Sequence, residues 1–105
     1  MPSPLHTFFN PETVAVVGVS EKPDNLGRVI SGNLQAFGFN GIVYEVGPQG
    51  GTLYGRRIYR AVADIPDRVD LAVLLVPARV VPDVLAECGH KGIRHVIIET
   101  AGFSE

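Results

Sequence analysis

The sequence predicts an α/β fold, a doubly wound parallel sheet of the Rossmann-like kind, and three observations carry that reading. Thr13 leads into Val14-Ala15-Val16-Val17, a short run that ends on Gly18, as a parallel strand buried on both faces requires. Leu26, Ile30, Leu34 and Phe37 then recur at helical spacing. Two further apolar runs, Leu71–Val76 and His95–Ile98, bracket a second helical stripe. Strands separated by helices imply right-handed crossovers, which place all the strand carboxyl ends on one edge of the sheet.

At 105 residues and 46% hydrophobic content the chain reads as one domain with a core of its own. A formal net charge of −2, with no basic run interleaved with aromatics, argues against a nucleic-acid partner. The single cysteine, Cys88, excludes an intramolecular disulfide, and its place on an apolar helix face predicts a buried, inert thiol. No apolar run approaches the ~20 residues of a membrane span, and the N-terminus lacks a basic region followed by an apolar signal core. A cytoplasmic domain with no membrane partner is the expectation.

Met1 to Pro11 reads as an extended leader because Pro2, Pro4 and Pro11 restrict it, with Phe8 and Phe9 packing back onto the domain and His6 facing solvent. The first strand is Thr13–Val17. Its helix follows the polar loop Glu21-Lys22-Pro23-Asp24-Asn25, with Asp24 or Asn25 as N-cap and Gly38 as the stop. The second strand, Gly41–Val46, runs into Gly47-Pro48-Gln49-Gly50-Gly51-Thr52, whose glycines suit either a ligand against the backbone or a plain surface turn. Leu53–Tyr59 is a short strand or strand-like turn, and Ala61–Ile65 a short helix ended by Pro66. Leu71–Val76, the most apolar run, is a central strand closed by Pro77. The helix Arg79–Gly89 carries Val81, Val84, Leu85 and Cys88 on one face, with Pro82 in its first turn, where a missing N–H costs little. His95–Ile98 is the last strand.

The shared edge then gathers Gly18–Ser20, Gly47–Thr52, Val76–Ala78 and Glu99–Gly102 as the candidate site. The first helix N-terminus, with unpaired N–H groups and a positive dipole end, suits a phosphate there. A dinucleotide fingerprint would read G-x-G-x-x-G; here Ser20 replaces the second glycine and Gly27 comes late. Glu45 could hold a ribose hydroxyl in an NAD(H)-binding domain, but it stands farther along than the roughly 20 residues such motifs use. Strand alternation otherwise sends it to solvent. No catalytic centre is legible: His6, His90 and His95 lie outside the loop cluster, Ser20 and Thr52 lack a histidine partner, and no paired metal ligands occur. Lys22, Arg28, Arg56, Arg57 and Arg79 supply cations near this edge, as a ligand with several phosphates requires. Binding is the expected task.

Several motifs in order carry a resemblance along nearly the whole chain. They are Phe9-Asn10-Pro11-Glu12-Thr13-Val14-Ala15-Val16-Val17-Gly18-Val19-Ser20, Lys22-Pro23, Gly27, Val69-Asp70-Leu71-Ala72-Val73, Val76-Pro77-Ala78, Val81-Pro82 and Ala101-Gly102-Phe103-Ser104-Glu105. In these the chain resembles the N-terminal CoA-binding domain of nucleoside-diphosphate-forming acyl-CoA synthetases, relatives of the succinyl-CoA synthetase α subunit. The resemblance implies that coenzyme A lies across the strand carboxyl ends. Gly18, Val19, Ser20 and Lys22 would hold its nucleotide end, Val46 and Pro48 would border the adenine or ribose, and Val76, Pro77 and Ala78 the pantetheine arm. Glu99 and Gly102 would lie near the thiol. The family often has Asn-Pro-Lys where this chain has Gly47-Pro48-Gln49, so a phosphate-binding lysine is missing and Arg56 or Arg57 is expected to compensate. The family's reaction passes through a phosphorylated histidine and a nucleotide-grasping part, both outside the matched region. A single CoA-binding domain belonging to a longer chain, inactive alone, is therefore the expectation. The alternatives are an NAD(H)-binding Rossmann domain and a free-standing regulatory CoA module.

Overall fold

The computed structural model describes residues 10–36 and 38–99. The leader through Phe9, Phe37, and Thr100 to Glu105, with Gly102 among them, lie outside the described residues. Strand β1 is Thr13–Val17, helix α1 Leu26–Ala36, β2 Ile42–Val46, β3 Thr52–Leu53, β4 Arg56–Tyr59, β5 Leu71–Leu74, α2 Val81–Lys91 and β6 His95–Ile98. The sheet order is β3-β4-β2-β1-β5-β6. All neighbouring pairs are parallel except β3 with β4. The doubly wound parallel sheet holds, with one short antiparallel strand at its edge.

Alternation along β1 builds a core on each face. Ala15 and Val17 join Ala72, Leu74, Val62 and Cys88 on the α2 side. Val14 and Val16 join Val43, Ile58 and Leu71 on the α1 side. Every residue of β1 is buried, which is why its sequence shows no polar alternation. At the opposite end of the sheet from the ligand edge, the Asp70 carboxylate accepts the Glu12 N–H at 2.9 Å and the Thr13 hydroxyl donates to the Arg68 carbonyl at 2.8 Å. These bonds fasten the start of β1 to the start of β5.

Both helices depart from the expected pattern in an informative way. The buried residues of α1 are Gly27 and Ser31, small side chains that let the helix lie close on the sheet. Ile30 and Leu34 pack from the flank, while Leu26 is 40% exposed. Helix α2 starts later and runs further than Arg79–Gly89. Ala78–Val80 is a 3-10 turn in which the Val81 N–H donates to the Ala78 carbonyl. Pro82 has no N–H to form the α-helical bond to that carbonyl. The helix then continues past Gly89 to Lys91 and stops at Gly92 with φ of 91°.

The expected single element Leu53–Tyr59 is a hairpin. Tyr54 and Gly55 have φ of 55° and 76°, the two left-handed positions of a tight I′ turn. β3 is an outer flap on β4, and β4 continues the parallel sheet beside β2. Ala61–Ile65 contracts to a 3-10 turn at Val62–Asp64, too short for a helix before Pro66. The ladder of β5 ends at Leu74 rather than Val76, although the Leu75 N–H still reaches the Val17 carbonyl at 2.8 Å.

Two glycines make opposite demands and so test this packing. A Cβ on Gly18 would stand 2.1 Å from the Leu75 carbonyl oxygen, at φ of +110°. A Cβ on Gly89 would meet nothing within 4 Å. In urea titrations Gly18→Ala should lose on the order of 2–4 kcal/mol, whereas Gly89→Ala should gain about 0.5–1 kcal/mol from the α2 interior.

Candidate functional site

The carboxyl ends of β1, β2, β4, β5 and β6 share one edge, as parallel pairing requires. The Gly18 and Val19 N–H groups both donate to the Val46 carbonyl, at 2.8 and 2.9 Å. A Cβ on Gly47 would stand 1.8 Å from the Val19 carbonyl oxygen, and one on Gly27 2.7 Å from that of Gly18. The first turn after β1, the start of the β2 loop and the first turn of α1 are thus in main-chain contact. The Glu99 N–H donates to the Leu74 carbonyl at 3.0 Å, which brings the end of β6 to the same edge.

Asn25, rather than Asp24, caps α1. Its Oδ1 accepts the Arg28 N–H at 2.8 Å and the Ser20 N–H at 3.1 Å, so one side chain fixes both the helix start and the loop before it. The Ser20 Oγ accepts the Lys22 N–H at 3.3 Å. These bonds, with those of Gly18 and Val19 to Val46, occupy most loop donors internally. Among the described residues, the Leu26 and Gly27 N–H groups have no protein acceptor, so these two are the free donors of the helix N-terminus.

The sequence-derived site residues divide by what they present. Ser20, Lys22, Pro48, Pro77, Ala78 and Glu99 are at least partly exposed along the edge. Val19, Val46 and Val76 send their side chains into the cores, with exposures of 1%, 2% and 8%, and offer only main chain there. The apolar groove lined by Ile30, Asn33, Leu34, Gly38 and Phe39 lies beside the far end of α1, away from this edge.

Glu45 corrects the expectation that alternation sends it to solvent. It is 1% exposed, facing α1, and its Oε2 accepts from Ser31 Oγ at 2.5 Å and from an Arg56 guanidinium nitrogen at 2.7 Å. Gln35 Nε2 adds a longer contact of 3.4 Å. A carboxylate so engaged is not offered to a ribose, and Arg56 is committed to it rather than to the edge. Of the other expected cations, Arg28 and Arg57 have partners within the fold, and Arg79 stays at the edge. Arg28 donates to the Glu21 carbonyl at 2.5 Å and lies over the Tyr54 ring. Arg57 stacks over the Tyr59 ring, 4.7 Å from its centroid. Arg79 is exposed in the turn after β5.

Two residues at this edge escaped sequence reasoning. The Glu21 Oε2 accepts the Thr52 N–H at 2.7 Å and ties the glycine loop to the turn before α1. Arg60, just beyond β4, lies against Gly50. Neither belongs to a motif; only the pairing of β4 with β2 brings Arg60 there. Burial, followed by the nearby Glu87 charge, pushes the Cys88 thiol above its ordinary range, so it is a poor nucleophile. Among the described residues no group of three or more His, Cys, Asp or Glu side chains could hold a metal ion, and no helix is long and apolar enough to cross a membrane.

The edge therefore offers close-lying main chain, two free helix donors and exposed cations, which fit an elongated ligand carrying phosphates. A profile of the CoA binding domain family matches residues 12–105. The α subunit of acetate–CoA ligase (ADP-forming) I from Pyrococcus furiosus is 47% identical over 105 residues, 96% of this chain and 23% of that protein. The 4-hydroxybutyrate–CoA ligase (ADP-forming) of Nitrosopumilus maritimus is 42% identical over 98 residues, 93% of this chain and 14% of that one. Among solved structures, the dinucleotide-forming acetyl-coenzyme A synthetase 1 of Ca. Korarchaeum cryptofilum, in complex with phosphate and ADP, superposes with a TM-score of 0.88 at 41% identity. That match covers 94% of this chain and 21% of the other. The chain spans less than a quarter of the length of each of these proteins.

The Glu45–Arg56 pair is open to a double-mutant cycle. Glu45→Ala should cost about 2–4 kcal/mol in urea titrations, because it strips partners from Ser31 and Arg56. Arg56→Met alone should be destabilising too. The double variant should recover about 1–2 kcal/mol relative to the sum of the two. Additive losses would mean that the two side chains do not interact in solution.

Proposed function

This chain belongs to the CoA binding domain family, and on that premise we propose that it binds coenzyme A across the carboxyl edge of its sheet as one part of a longer ADP-forming acyl-CoA synthetase. The observation that carries the reading is the convergence of the Gly18, Gly27 and Gly47 main chains beside the free Leu26 and Gly27 donors. The glycines let these turns pack main chain on main chain, and the helix N-terminus they hold at the edge suits a phosphate-bearing nucleotide.

Gly18, Val19 and Ser20 frame the nucleotide end, with Lys22 supplying charge to the diphosphate. The Val46 main chain and Pro48 border the adenosine. Val76, Pro77 and Ala78 line the pantetheine arm, and Glu99 stands where the thiol leaves. The full reaction, acid with CoA and a nucleoside triphosphate to acyl-CoA, nucleoside diphosphate and phosphate, requires a phosphohistidine part and a nucleotide-grasping part. These are the partners this reading assigns, in the cytoplasm. The domain's own share is capture and orientation of CoA. The engagement of Glu45 by Arg56 and Ser31 weighs against the NAD(H) alternative, which needs that carboxylate free for a ribose.

Calorimetry with CoA, dephospho-CoA, NAD and NADH tests the reading. CoA should bind and the nicotinamide dinucleotides should not. Lys22→Glu should weaken CoA and dephospho-CoA alike, by roughly tenfold, because both carry the diphosphate. Preference for NADH would overturn the assignment.

A further inference from the structure

We propose that Arg60 is the specificity residue for one group of the ligand, the 3′-phosphate that distinguishes CoA from dephospho-CoA; this rests on the CoA reading above. Most of the hairpin and loop cations already have partners within the fold. Arg56 is neutralised by Glu45 at 2.7 Å. Arg28 is spent on the Glu21 carbonyl and the Tyr54 ring, and Arg57 lies over Tyr59. Arg60 is exposed and makes no hydrogen bond or ion pair among the described residues. A cation that the fold does not use, beside a loop that must receive an anion, is available to a ligand.

Its position is fixed by backbone. The Tyr59 carbonyl accepts the Gly47 N–H at 2.8 Å, so the residue after Tyr59 necessarily emerges beside the loop that starts at Gly47. The Arg60 side chain then lies along Gly50: a Cβ there would stand 3.0 Å from Arg60 Nε and 3.4 Å from its Cγ. Gly50 has φ of +67° and is buried under that side chain. The missing Cβ gives the arginine stem a flat bed, which limits its rotamers and presents the guanidinium fork ready-made for two phosphate oxygens.

Charge gives the loop a direction. The adjoining Gly51 packs against the Glu21 carboxylate, which already holds the Thr52 N–H at 2.7 Å. A second anion is repelled from the Glu21 end and drawn to the Arg60 end. That end adjoins Pro48, the adenosine border of the proposed site, and the loop itself contributes Gln49 in place of a cation. Lys22 and Arg79 stand on the turns after β1 and β5, placed for the diphosphate and the arm.

The test is calorimetry of CoA and dephospho-CoA on the wild-type chain and on Arg60→Gln, Arg60→Lys and Arg57→Gln. Arg60→Gln should lose roughly 10- to 100-fold in CoA affinity while dephospho-CoA changes by less than about twofold. Arg60→Lys should recover only part of the loss, since it keeps charge without the fork. An unchanged unfolding midpoint for Arg60→Gln is expected and would place the effect in binding. Equal losses for both ligands, or a CoA-selective loss in Arg57→Gln instead, would overturn the role of Arg60 while leaving CoA binding intact. Wild-type protein that binds neither ligand would overturn the CoA reading and this inference together.

Discussion

The fold depends on four stretches of main chain meeting at distances that admit no side chain. The Val46 carbonyl takes the N–H groups of both Gly18 and Val19. Gly47 lies on the Val19 carbonyl, Gly27 on that of Gly18, and Gly18 on that of Leu75. This knot joins the ends of β1, β2 and β5 to the first turn of α1, so strand order and helix placement are set by the contact that also shapes the ligand edge. It also consumes donors. The turn after β1 spends the N–H groups of Gly18 and Val19 on Val46 and that of Ser20 on Asn25, while the helix start keeps donors open. The polar surface left for a phosphate is therefore small and sharply placed.

Charge is divided with similar economy. The acidic balance of the chain leaves few cations, and several of them serve the fold: Arg56 satisfies a buried carboxylate, and Lys91 donates to the Ile65 carbonyl at 2.7 Å. Glu45 and Glu21 act as two clasps on the excursion from Gly47 to Arg56, one through a side chain on β4 and the other through the Thr52 backbone. The clasps hold the excursion at its middle from the turn before α1 and at its far end from β2.

Much of the fold was legible because parallel strands announce themselves. Thr13–Val17 and His95–Ile98 agree with the structure at both bounds, since apolar β-branched runs ending in a glycine or a polar residue have little else to become. What was not legible depends on pairing across the chain. The hairpin turn at Tyr54-Gly55 hides behind a tyrosine in a left-handed conformation that side chains rarely adopt. Glu45 looks solvent-bound by alternation until Ser31 and Arg56 are brought over it from α1 and β4. Arg60 has no motif around it and gains meaning only from Gly50. The loop cluster itself followed from topology alone, whereas the internal partners of Arg28, Arg56 and Arg57 come from contacts that no local spacing announces.

The wide spacing of the paired strands also sets when this edge comes into being. Thr13 and Asp70 are bonded across a separation of 57 residues, and β1 lies between β2 and the much later β5. The turn at Gly18 comes early in the chain, whereas the Leu75 main chain that packs on it comes much later. Topologies of this kind acquire their contacts late and together. The edge is therefore complete only once β5 has joined β1. A ligand that recognises only the finished edge stabilises the domain as a whole, acting as a latch on the last stage of folding rather than as a guest in a ready-made cleft.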